Sequence, residues 1–179
     1  MKNVFPLILL IVLLSLSEEA RAQKFDGLDR SPMDMTAYPS SHRESDKAIR
    51  IIYSRPQLKG RSLAELAPLG QVWRTGANEA PEITFYKDIT FGGQEVAAGT
   101  YSLFTIPGEN TWTVILNKNL NQWGAYSYDE AQDVTRITVP SSSNSKSLEP
   151  FSIAFKKVED DVHMVMGWDK TRVAVPIDM

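Results

Sequence analysis

Three arginines, two aromatic residues, an amide and a carboxylate crowd into two short segments of this sequence. Tyr53-Ser54-Arg55-Pro56 leads to Lys59-Gly60-Arg61, and Trp73-Arg74-Thr75-Gly76-Ala77-Asn78-Glu79 follows. Guanidinium groups bind carboxylate, phosphate or sulfate through a planar fork of donors. Arg55 precedes a proline, which biases its backbone toward an extended conformation and gives the side chain a defined direction. Trp73 or Tyr53 could stack on a sugar or other ring, and Asn78 could orient a hydroxyl or carbonyl. The segments therefore read as a site for a small anionic or sugar-like ligand, built from Tyr53, Arg55, Arg61, Trp73, Arg74, Asn78 and Glu79.

Two other readings use the same residues. In a structural or interaction protein of the cell envelope they only brace loops, with Arg74 paired to Glu79, Arg55 on loop carbonyls and Trp73 in the core. In a hydrolase-like enzyme Glu79 serves as acid or base and an arginine stabilises negative charge. Many such schemes need a second carboxylate, for which Asp88 and Asp133 are candidates. Outside that alternative no residue is assigned to catalysis, and the pattern reads as binding rather than catalysis.

Other chemistries find little support. There is no cysteine, so disulfides, thiol nucleophiles and thiolate metal sites are excluded. The two histidines, His42 and His163, are far apart, and no metal or other cofactor is expected. The sequence has no glycine-rich phosphate loop and no G-x-S-x-G elbow. Nineteen Lys and Arg against 22 Asp and Glu give a net charge of −3. With no basic tract, a nucleic-acid partner is not expected.

The elements that must position these residues begin after an unusual start. A basic opening, Met1-Lys2-Asn3, precedes an apolar run from Val4 to Leu14 and then Ala20-Arg21-Ala22. This is the order of a secretory signal with an A-x-A cleavage site. The run is well short of the roughly 20 apolar residues of a membrane-spanning helix. Residues 1–22 are therefore expected to be removed before Gln23, leaving an exported chain, periplasmic or extracellular, with no transmembrane segment. The signal carries Lys2, Arg21, Glu18 and Glu19, so its loss leaves the net charge unchanged. A disulfide-free exported domain of this length suits a bacterial envelope.

Residues 23–47 read as a polar leader with a short edge strand near Met33–Ala37, and 48–179 as a single β domain. Ile49, Ile51 and Tyr53 alternate with more polar neighbours, as do Ile83 and Phe85, Trp112, Val114 and Leu116, and Phe151, Ile153 and Phe155. Gly92-Gly93 predicts a tight hairpin, because both turn residues can take positive φ. Ser62 through Leu66 predicts a single helical turn, with Ser62 and Glu65 spaced as a capping box. Pro140–Pro150 reads as a flexible serine-rich loop, and Asp169-Lys170 as a turn. About nine short strands with almost no helix predict an all-β, antiparallel β-sandwich or a related barrel.

Five blocks in fixed order carry a family resemblance. They are Tyr53–Pro56 with Lys59–Arg61, Trp73–Glu79, Ala98-Gly99-Thr100-Tyr101-Ser102-Leu103-Phe104-Thr105-Ile106-Pro107, and Trp123-Gly124-Ala125-Tyr126. Together they resemble the bacterial exported family called domain of unknown function 2911, from about Ser31 to Ile177. Arg61-Ser62-Leu63 departs from the more aromatic, glycine-containing stretch expected there. The resemblance implies a secreted β-rich domain and carries over no catalytic residue.

Overall fold

Alternation of apolar and polar residues becomes an antiparallel sheet because successive side chains of a strand point to opposite faces. A computed structural model describes residues 25–159 and 161–179. The predicted signal, residues 1–22, lies outside them. Nine strands follow in chain order: β1 (Met33–Tyr38), β2 (Ile49–Ser54), β3 (Glu82–Phe85), β4 (Ile89–Phe91), β5 (Gln94–Val96), β6 (Gly99–Pro107), β7 (Thr111–Asn117), β8 (Asp133–Val158) and β9 (Asp161–Asp178). They hydrogen-bond in the order β1-β2-β3-β6-β7-β8-β9-β4-β5, every pairing antiparallel. The chain is thus an all-β protein, as its patterning predicts. Among the described residues no helix is long and apolar enough to cross a membrane.

Local signals are met closely. Gly92 and Gly93 take φ of 58° and 85° between β4 and β5, with Phe91 opposite Gln94. The helical turn is α1 (Leu63–Leu66), and its capping box is complete. Glu65 N donates to Ser62 Oγ at 3.3 Å, and Ser62 N to Glu65 Oε2 at 2.7 Å. The Ser62 hydroxyl, which donates to Glu65 Oε2 at 2.7 Å, and then the Ser62 N–H hold the Glu65 carboxyl below its ordinary pKa. The edge strand expected near Met33–Ala37 is β1, which pairs with β2 along its whole length.

The last third differs from the sequence expectation. Two long strands, β8 and β9, replace four short ones, and the serine-rich stretch 141–149 is strand rather than loop. That stretch is mostly exposed, so it shows no buried-face alternation. Its backbone is held instead. Arg172 donates to the carbonyls of Asp169, Thr171 and Lys146 at 2.8–2.9 Å, and Trp168 Nε1 donates to Glu149 O at 3.1 Å. The expected turn at Asp169 is a kink inside β9. Asp169 has φ 44° and faces Leu148, with register shifts on both sides of Leu148. Such irregularities bend paired strands.

Beyond the kink, the β8–β9 hairpin returns across the inner face of β2. Gln57 pairs with Pro150, and the hydroxyl of Tyr53 meets both backbone groups of Ile153. The core fills the space between, with Ile49, Ile51, Ile83, Phe85, Met164, Met166 and Val175 all essentially inaccessible. A second, smaller cluster, Phe104, Ile115 and Ala80, lies under Val72, Ile106, Ala125 and Tyr128. Both faces of β6 are consequently buried along much of its length.

Candidate functional site

Arg55 leaves the end of β2 where three strands meet. Its Nε donates to Phe151 O at 3.0 Å, Nη1 to Asp34 Oδ2 at 2.9 Å and Nη2 to Ser152 Oγ at 2.7 Å. One planar fork thus ties β1, β2 and β8 together. Arg61 serves its own loop, donating to Leu58 O and Gln57 O. Arg74 is half-buried, and its Nε is inaccessible with no partner among the described residues. No ion pair joins Arg74 to Glu79 among the described residues.

The two aromatic residues of the sequence pattern turn inward. Trp73 stacks on Trp168 with ring centres 5.5 Å apart and planes 16° apart, and meets Trp112 and Phe151 edge-on. Its N–H and carbonyl exchange bonds of 2.7 and 2.9 Å with Thr105. Tyr53 packs edge-on against Phe151, and burial raises the pKa of its phenol.

After Trp73 the chain is forced through two left-handed residues. Thr75 has φ 55°, unfavourable for a β-branched side chain. It is fully buried, with its hydroxyl on Trp73 O and Thr105 Oγ1. Asn78 has φ 60°, which asparagine tolerates better. This path brings Asn78–Ala80 alongside Gln122–Gly124. Glu79 bridges Trp123, Ala80 N donates to Gln122 O at 2.8 Å, and Gly124 N donates to Asn78 O at 2.9 Å.

The pairing holds Trp123 at the wall of an open groove of about 360 Å³. Met33, Ile52, Glu79, Glu82 and Asn121 also line it. Trp123 is 62% exposed, whereas the other three tryptophans are at most 5% exposed. Glu82 Oε1 accepts from Asn121 N at 3.0 Å, and neither glutamate forms an ion pair among the described residues. Among the described residues no lysine or arginine lines the groove.

The groove's outer loop is anchored by a buried carboxylate. Asp133 Oδ2 accepts from Tyr128 Oη at 2.6 Å and from Arg136 at 3.3 Å, and Oδ1 accepts from Asn117 Nδ2 at 2.8 Å. Burial, then the Asp133 bond, pushes the Tyr128 phenol well above its ordinary pKa. Asp88, the other carboxylate considered from sequence, accepts from Ala98 N beside the β4–β5 hairpin. Neither lines the groove; the carboxylate that accompanies Glu79 there is Glu82.

The family model described as protein of unknown function (DUF2911) matches residues 31–177. The chain belongs to this family. No curated protein and no solved structure matches it. In this DUF2911 chain the matched span includes β1 and runs nearly to the end of β9. Of the seven residues selected from sequence, Tyr53 and Glu79 line the groove, while Arg55, Arg61, Trp73, Arg74 and Asn78 do not. Asn78 contributes through its backbone. The sequence pattern does not point to Trp123, Met33, Ile52 or Glu82. The available signal for Trp123 was its place in an aromatic stretch, with Tyr126 and Tyr128, that lacks a strand period. No group of three or more metal-ligating side chains occurs among the described residues.

Proposed function

We propose that the protein is an exported domain that binds a small sugar-like ligand in the groove beside Trp123. The observation that carries this reading is an exposed indole on a fixed backbone. An aromatic face left in water, beside Met33 and Ile52, forgoes the gain from burial unless something covers it. A sugar ring offers an apolar face to the indole and hydroxyls to the carboxylates of Glu79 and Glu82. Those carboxylates, with no cation in the lining, disfavour the anionic alternative. Export is supported by the signal pattern of residues 1–22.

Titration of the purified protein with glucose, N-acetylglucosamine, maltotriose and sulfate, followed by tryptophan fluorescence, tests the site. A saturable response to a sugar, weakened at least about tenfold in Trp123→Ala with the melting midpoint unchanged, supports it. A response to sulfate alone, or sugar binding indifferent to Trp123, overturns it. A structural role in the envelope is favoured by one observation, the engagement of Arg55 and Arg61 by the protein's own acceptors. It predicts no response to any of the four probes.

A further inference from the structure

The groove has a charge that the binding reading alone does not use. Glu79 and Glu82 are both in its lining, and among the described residues no lysine or arginine lines it. Glu82 keeps one oxygen clear of the Asn121 bond, and neither carboxylate has a salt-bridge partner among the described residues. The indole of Trp123, bridge partner of Glu79, lines the same groove, and indole is the aromatic ring whose face attracts cations best. Carboxylates and an aromatic face together favour a positive centre over a neutral one. The apolar surface of Met33 and Ile52 favours a compact ring carrying that charge over a hydrated ion.

We infer that the groove selects an amino sugar, with its ammonium group between the Trp123 ring and the Glu79 and Glu82 carboxylates. The inference rests on the sugar-binding reading above and adds the charge of the ligand. One exposed cation–π contact and two exposed ion pairs together amount to a preference of about tenfold. The preference comes from charge, so it shrinks as salt screens the pairs.

The test compares glucosamine, glucose, N-acetylglucosamine and n-butylamine at pH about 6, below the ordinary range for amines. Glucosamine is expected to bind about tenfold more tightly than the other three. Raising sodium chloride from about 0.05 M to about 0.5 M should reduce that margin. In Glu79→Gln/Glu82→Gln the margin of glucosamine over glucose should vanish, with the unfolding midpoint checking the fold. Equal binding of glucose and glucosamine overturns the inference and leaves the sugar site intact. Butylamine binding as tightly as glucosamine overturns the assignment to an amino sugar. Absence of binding by every sugar overturns both the inference and the reading beneath it. The wild-type comparison decides the matter even if the double variant does not fold.

Discussion

Replacing Arg55 by lysine separates a brace from a ligand-binding residue. Lysine keeps the positive charge but cannot reach Phe151 O, Asp34 and Ser152 at once, because its donors radiate from a single nitrogen. A single ammonium does not match the planar fork, and the two bonds to β8 are expected to be lost. A hydrogen bond contributes about 1 kcal/mol net, and more when one partner is charged and buried. Here the Arg55 and Asp34 side chains are 30% and 43% exposed, so their pair counts nearer the surface value of about 0.5 kcal/mol. The two bonds to β8 carry the rest, giving an expected loss of about 2 kcal/mol. In a domain of this size that lowers the melting midpoint by about 4–8 °C. Urea and thermal unfolding of the wild type, Arg55→Lys, Asp34→Ala and the double variant form a cycle that isolates the Arg55–Asp34 share. A loss below about 0.5 kcal/mol would refute the bracing argument, since that is the ordinary scatter of surface substitutions. So would an undiminished midpoint accompanied by lost sugar binding.

Trp73→Ala should cost about 3–5 kcal/mol in urea unfolding, because it opens a cavity among Trp112, Phe151 and Trp168. A cost under about 1 kcal/mol would mean that the aromatic cluster is not the packed centre described above. Asp178 gives a pH dependence. Its carboxyl pKa is raised, chiefly by the hydrogen bond with Asp161 and then by that group's charge. The folded state thus holds this proton more tightly, so the stabilising contribution is present at low pH and lost as pH rises through the folded pKa. Asp178→Asn should flatten this part of the stability profile, with the largest gain in melting midpoint at neutral pH. An equal effect at pH about 3 and about 7 would exclude the Asp161 pair as its source.

The sequence patterns for β2 and β3 are legible because each has one face more buried than the other and therefore a period of two. The Gly92-Gly93 hairpin and the Ser62–Glu65 cap are legible because their causes lie within four residues. The strand through residues 141–149 is not legible: its side chains are mostly exposed, and backbone acceptors supplied to Arg172 and Trp168 hold it in place. The role of Arg55 is hidden for another reason. Its acceptors Phe151 and Ser152 stand nearly 100 residues away, and no local pattern says whether a guanidinium meets them or a ligand. Trp73 and Trp123 differ only in which way their loops turn. That direction depends on the left-handed residues Thr75 and Asn78 and on the pairing with Gln122–Gly124.

The returning β8–β9 hairpin also bears on the order in which the chain becomes a protein. Trp73 is enclosed by Phe151 and Trp168, and Tyr53 is satisfied by Ile153, all from the last 30 residues. A chain emerging from its N-terminus therefore presents β1 through β7 with one wall of the core missing. Contacts that far apart in sequence are slow to close and give no stability until they do. Until its end has been delivered, the chain lacks the residues that close its core. A polypeptide that must cross a membrane before folding would have use for a core whose final wall is made last.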